Sequence, residues 1–255
     1  MLVKKYKDML GAKSVIRELS EFAAARGREI GYGNVFDYSL GNPSVAVPQE
    51  FTEEMIRLLK ECPTGPLHGY SPSLGITAVR EAVAASLEKR FGLPYRREHI
   101  FMASGAAGAL AHAFRLVTEP GDDILTFAPF FPEYSPYVGL TGAALRVVPP
   151  RTEDFQIHFG KFEEMLNRNV KAVLVNTPNN PSGVVYSAET LERLAGVLRE
   201  KSRKYGHTIY LISDEPYREI VFDGQKAPCV SAFYEDTIMC YSFSKSLSVP
   251  GERIG

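Results

Sequence analysis

Apolar residues recur with a helical period at Val15, Ile16, Leu19, Phe22 and Ala23, and Gly27 follows as a stop signal. The next phrase, DYSLGNPSVAVP, changes character, because Gly41, Pro43 and Pro48 oppose a long helix and favour a turning connection between two packing units. A helix is predicted over residues 49–60, an irregular stretch over CPTGPLHGYSPSLG, and a further helix over residues 76–91. Beyond that point strand and helix signals alternate. Strands are predicted at residues 99–103, 123–127, 144–148, 171–176, 208–213 and 237–241, with helices at 108–118, 131–139, 160–166 and 188–205.

Several of these strands are almost wholly apolar, as a strand covered by helices on both faces should be. The pattern predicts an α/β fold with three layers, α/β/α, around a mainly parallel sheet. It also suggests an N-terminal segment over residues 1–48 and a large domain over 49–255 that is incomplete at its C-terminal end. The last phrase, VPGERIG, is turn-like, so the next strand and a closing element are expected to be missing.

With 255 residues and 45% hydrophobic composition, the chain can bury a substantial core. Its 29 basic and 30 acidic side chains nearly cancel, which gives no global field for nucleic acid or an anionic membrane. Cys62, Cys229 and Cys240 are odd in number and lack metal-like spacing, which argues against a disulfide scaffold, a zinc site or an iron–sulfur cluster. The N-terminal MLVKKYKDML has charges where a signal peptide needs an apolar run, and no later stretch is long enough to cross a bilayer. A cytoplasmic protein with no metal, nucleic-acid or membrane partner is the expectation.

Candidate chemistry gathers just after the predicted strands. ASGAAGAL (103–110) offers small residues on a strand-to-helix turn, where amides of Ala106 and Ala107 could hold an anion; such a turn serves equally for close helix–sheet packing. FAPFFPEY (127–134) supplies Phe131 and Tyr134, aromatic faces suited to a planar ring or to a core. NTPNNPSG (176–183) specifies a turn, and within it Asn180 carries a donor and acceptors for a ring oxygen. In LISDEPY (211–217), Asp214 ends an apolar run, where a carboxylate is costly unless paired. A cationic ring nitrogen would satisfy it, as would capping of the next turn, and Tyr217 adds a phenol. CYSFSKSLSVPGERIG (240–255) places Lys245 among Ser242, Ser244, Ser246 and Ser248, with Arg253 eight residues further on. A lysine so placed is either solvated or a nucleophile able to form a Schiff base, and Arg253 has donors for a phosphate.

Taken in order over roughly residues 30–255, these motifs resemble the large domain of class I/II aminotransferases, the fold type I pyridoxal-phosphate enzymes. SFSKxxxxxGxRxG after DxxY is the most specific part. The resemblance implies pyridoxal 5'-phosphate as cofactor and Lys245 as the lysine joined to it. Ser242 and Arg253, with the backbone at Ala106 and Ala107, correspond to the phosphate-holding positions. Phe131 corresponds to the stacking aromatic, Asn180 and Tyr217 to the ring-oxygen contacts, and Asp214 to the acid facing the pyridine nitrogen. Lys245, Asp214 and Tyr217 are thereby the catalytic candidates, and Gly41 and Asn180 the substrate-side ones. Tyr70 resembles the tyrosine that reaches the phosphate in the neighbouring subunit, which implies a homodimer. Residues 1–48 would belong to the family's small domain.

Two positions depart from the family pattern: Ala106 and Ala107 carry no hydroxyl or charge, and Phe131 replaces a Trp or Tyr. The family's C-terminal small domain, with its arginine for the substrate α-carboxylate, has no counterpart here. The implied reaction moves an amino group from an amino acid, plausibly acidic or aromatic, to a 2-oxo acid. A pyridoxal-phosphate carbon–sulfur β-lyase and an inactive cofactor-binding module are the alternatives that the residues leave open.

Overall fold

The computed structural model describes Lys4, Lys7 and residues 15–255. Packing divides the chain into two units, Met1–Val45 and Ala46–Gly255. In the first, helix α1 (Val15–Ile30) follows the predicted apolar period but runs on past Gly27. Gly27 is no stop signal. It is buried, and a Cβ on it would lie 2.4 Å from the Tyr32 ring, so the position is glycine to admit that ring against the helix.

The second unit opens with helices α2 (Gln49–Glu61), α3 (Thr64–His68) and α4 (Thr77–Phe91). It continues through α5 (Gly105–Val117), β1 (Asp123–Phe127), α6 (Tyr134–Gly139), β2 (Ala144–Val148), α7 (Phe159–Met165) and β3 (Val170–Asn176). The last elements are α8 (Ala188–Tyr205), β4 (Tyr210–Asp214), β5 (Thr237–Cys240) and α9 (Phe243–Ser246). The five strands pair in the order β2-β1-β3-β4-β5, and every pair is parallel. Successive side chains on a strand point to opposite faces, and both faces are covered. Leu125, Val173, Val175 and Leu211 pack with Phe162 of α7 and Leu191, Leu194 and Leu198 of α8. Their neighbours Ile124, Ala172, Leu174 and Ile212 pack on the opposite side with Leu110 and Phe114 of α5 and Tyr134 and Val138 of α6. The result is the predicted three-layer α/β/α arrangement, and it explains why these strands read as continuous apolar runs. Among the described residues no helix is long and apolar enough to cross a membrane.

Three sequence-based expectations are corrected. Residues 99–103 do not form a strand. The carbonyls of Arg97 and Ile100 accept from the Arg80 guanidinium, at 2.5 and 2.8 Å, and Met102 N donates to Leu74 O, so this backbone is satisfied by α4 and a loop. The neighbouring Ser104 makes a single antiparallel bridge to Ile254, with Ala103 and Gly255 exchanging two backbone hydrogen bonds. Second, the stretch read as irregular contains α3. Pro66 falls in its first turn, where a missing N–H breaks no intrahelical bond. Third, the helix predicted from residue 108 starts at Gly105, and the one predicted from 131 starts at Tyr134. Both shifts alter the site, since they place Ala106 and Ala107 inside a helical first turn and leave Phe131 on the loop before α6.

Leu194 is fully buried between sheet and helix, whereas Leu116 on α5 is 79% exposed. Leu194→Ala should therefore lower the unfolding free energy by about 2–5 kcal/mol, measured by urea denaturation. Leu116→Ala should change it by less than about 0.5 kcal/mol.

Candidate active site

Because every strand is parallel, all five C-terminal ends lie along one edge of the sheet, the edge where ligands of open α/β sheets collect. The chain leaves that edge through the segments that carry the candidate chemistry. Phe131 follows β1, Asn180 follows β3, Asp214 is the last residue of β4, Tyr217 comes shortly after it, and Ser242 follows β5 to begin α9, which carries Lys245.

Asp214 is the best-defined group of the set. It is 5% exposed, and its Oδ2 accepts a hydrogen bond from Tyr134 Oη at 2.5 Å. Its Oδ1 is buried with no hydrogen-bond partner among the described residues. Burial pushes the carboxyl up to about 7, against a partial lowering by the Tyr134 hydroxyl. Tyr134 is itself fully buried and is held far above the ordinary phenol range by burial and then by Asp214. Asn176, at the end of β3, donates from Nδ2 to the Asp214 carbonyl at 2.8 Å and fixes the strand end beneath the acid. A buried acceptor without a donor costs on the order of 1–3 kcal/mol; an N–H donor would remove that cost, and a cationic one would also offset the desolvation of the carboxylate.

Around this acid the structure brings several predicted residues together. Asn180 Nδ2 donates to Tyr217 Oη at 3.4 Å, and Asn180 N is tied to Asn176 Oδ1 at 2.6 Å. Burial and the Asp214 charge both raise Tyr217, which keeps it a neutral donor. Phe131 meets Tyr134 edge-on, with ring centroids 5.5 Å apart, while Phe130 stacks on the same ring at 6.4 Å.

A second cluster forms at the start of α5. Gly105, Ala106 and Ala107 are its first residues, so their amides have no partner within the helix. The Arg253 guanidinium lies over this turn, with Nη2 3.5 Å from Ser104 O. A Cβ on Gly105 would lie 2.6 Å from that Nη2, and a Cβ on Gly255 would lie 2.5 Å from the Gly105 carbonyl carbon and 2.8 Å from Tyr241 O. The glycines are needed because the turn, the Arg253 segment and the end of β5 crowd together here. Gly105 N donates to Ala103 O at 2.9 Å, and an arginine fork beside the following first-turn amides is suited to an anion.

Ser242 is buried, and Lys245 is partly buried, with its ammonium pushed below the ordinary lysine range by desolvation. Such a shift raises the fraction of neutral, nucleophilic amine at a given pH. Tyr70 stands apart from the cluster, fully exposed on the loop after α3. Gly41 belongs to the N-terminal unit. Sequence reasoning picked out Tyr134 only as an aromatic face; its hydroxyl partner and the role of Asn176 under Asp214 come from strand register and the course of the loop after β1.

The Asp214 carboxyl gives the polypeptide a pH signature. Its folded value, about 7, lies above the ordinary 3.8, so between those values the folded protein keeps a proton that the unfolded chain has released. The stabilisation is complete below the unfolded value and is lost as pH rises toward the folded one, at no more than about 1.4 kcal/mol per pH unit. In ligand-free protein, the stability of wild type relative to Asp214→Asn should therefore fall from pH 4 to pH 7 in urea titrations. A difference independent of pH would show that Asp214 is not buried in this way.

Known proteins share this arrangement of sequence and fold. The profile of the family "Aminotransferase class I and II" matches residues 34–255. An aspartate aminotransferase from Thermotoga maritima is 32% identical over 87% of this chain, which covers 57% of that protein. Aromatic-amino-acid aminotransferase 2 from Thermococcus litoralis is 29% identical over 95% of the chain, covering 59% of its own length. The crystal structure of an aminotransferase from Eubacterium rectale superposes on the whole chain with a TM-score of 0.95 and 44% identity, and the chain covers 65% of it. The chain thus spans less than two thirds of the length of these relatives. With its parallel sheet, its buried acid and a profile match across most of its length, it belongs to the aminotransferase class I and II family.

Proposed function

We propose that the whole protein is a pyridoxal-phosphate-dependent aminotransferase that moves an amino group from an amino acid, of aspartate or aromatic type, to a 2-oxo acid. The observation that carries this reading is the unpaired, buried Oδ1 of Asp214 at the C-terminal edge of the sheet. The names of the Thermotoga and Thermococcus relatives support the substrate class. The residues present fit the cofactor: among the described residues one oxygen of a buried acid lacks a donor, Tyr217 and Asn180 pair beside it, and Arg253 lies over the first turn of α5.

Pyridoxal phosphate supplies an aldehyde for capturing amines and a ring that withdraws electrons. Asp214 is assigned to hold the proton on the ring nitrogen, for which an ionised carboxylate is required. Its raised value means that a cationic partner is also what keeps it ionised near neutral pH. Arg253, Ser242 and the amides of Ala106 and Ala107 are assigned to the phosphate, Phe131 to one face of the ring, and Asn180 and Tyr217 to its oxygen. Lys245 Nζ is assigned the covalent attachment and, once released, the removal of the amino acid's α-proton; its lowered affinity for a proton suits both tasks. A homodimer in which Tyr70 of one copy reaches the phosphate of the other is part of the proposal, and the exposure of Tyr70 supports it. A cytoplasmic setting is in keeping with the free Cys62, Cys229 and Cys240.

Borohydride reduction of the protein with pyridoxal phosphate should fix the cofactor on the peptide containing Lys245, read by mass. Label on another lysine of folded protein would refute the assignment. Lys245→Ala should lower turnover by about 10²–10⁴-fold. Production of a new amino acid and oxo acid from the pair supplied is the expected chemistry, whereas pyruvate, ammonia and thiol from a cysteine conjugate would identify a β-lyase instead.

A further inference from the structure

Lys245 sits on α9, a helix of one turn (Phe243–Ser246). Its closing bond runs from Leu247 N to Phe243 O at 3.1 Å. Helix initiation is unfavourable, and a single turn gains too little from its own bonds to persist unaided. The placement of the lysine must therefore come from contacts made outside the helix.

Tyr241 provides them on both sides of Lys245. Its ring meets Phe243 edge-on, with centroids 5.3 Å apart and planes at 88°. Its hydroxyl donates to Glu219 Oε2 at 3.0 Å and lies 2.8 Å from Ser246 Oγ. Since the phenol proton is committed to the carboxylate, Ser246 is the donor in the second bond. Glu219 is in turn held by Arg90 Nη2 at the end of α4, at 2.5 Å from Oε1. Each polar group in this line is matched, from Ser246 through Tyr241 to Glu219 and Arg90. Burial is the largest cause pushing Tyr241 up to about 12, so the phenol remains a donor at neutral pH. At the other end of α9, Phe243 N donates to Ile254 O at 3.1 Å.

We propose that Tyr241 is a positioning residue for Lys245, gripping α9 at Phe243 and Ser246 and anchoring it through Glu219 to α4. The functional meaning of this tie rests on the reading of Lys245 as the amine that holds the cofactor. The tie itself does not, because it is a property of the polypeptide.

The test uses hydrogen exchange in the cofactor-free, full-length protein, together with the rate at which Lys245 captures added pyridoxal phosphate, followed by absorbance. Tyr241→Phe keeps the ring contact and removes the hydroxyl. It should speed exchange at residues 243–247 by about three- to tenfold and slow cofactor capture, while exchange in β3 and α8 stays as in wild type. Ser246→Ala cuts the same bond from the other side and should do the same, and the double variant should be no worse than either single one. Ser246→Ala also carries the test if Tyr241→Phe fails to fold. Glu219→Gln retains a carbonyl acceptor for the phenol but loses the ion pair to Arg90, so it should speed exchange at residues 243–247 by less than Tyr241→Phe does. Unchanged exchange at 243–247 in both Tyr241→Phe and Ser246→Ala would overturn the proposal. Failure of wild-type protein to label at Lys245 would instead refute the cofactor reading, and the exchange data would still decide whether Tyr241 holds α9.

Discussion

A carboxylate buried at the end of a strand, with one oxygen paired and the other not, is the constraint around which the second unit of this protein makes sense. Tyr134 satisfies Oδ2 of Asp214, and Oδ1 has no donor among the described residues. Leaving a buried acceptor open is unfavourable for folding, and a domain selected only for stability would place a serine or an apolar residue there. The arrangement becomes favourable when a ligand supplies a positively charged N–H. The same desolvation that raises the proton affinity of the acid then strengthens its grip on that ligand.

The sheet determines what surrounds the acid. Five parallel strands deliver every segment that follows a strand to one edge, so residues far apart in sequence converge there without any element having to bend toward them. Asn180 and Tyr217 meet after β3 and β4, and Phe131 and Tyr134 meet after β1. The cluster at the start of α5 depends on a different device, the close approach of Gly105, Gly255 and the Arg253 segment, for which the lack of a Cβ at both glycines is required. Lys245 depends on a third. Its helix is too short to hold itself, and the aromatic and hydroxyl contacts of Tyr241 supply the missing order.

Much of this was legible from the amino acids because buried parallel strands leave a strong trace. The apolar runs of β1, β3 and β4 and the turn-rich phrases behind them locate Asp214 and Asn180 within a residue or two. The misreadings share a cause: tertiary partners replaced the local signal. Residues 99–103 look like a strand, but the Arg80 guanidinium takes the carbonyl of Ile100 and that of Arg97 just before them. Gly27 looks like a helix end, but serves the packing of Tyr32. The hydroxyls of Tyr134 and Tyr241 were invisible as polar groups, since a tyrosine near an apolar run reads as core until its partner is known.

The central claim is that Asp214 Oδ1 receives an N–H from the pyridine ring of the cofactor. Nitrogen-15 NMR of the full-length protein loaded with ring-labelled pyridoxal phosphate tests it directly. The account predicts a protonated ring nitrogen at pH 7 in the wild type and a shift toward the unprotonated position in Asp214→Ala. The same resonance position in both proteins would contradict it.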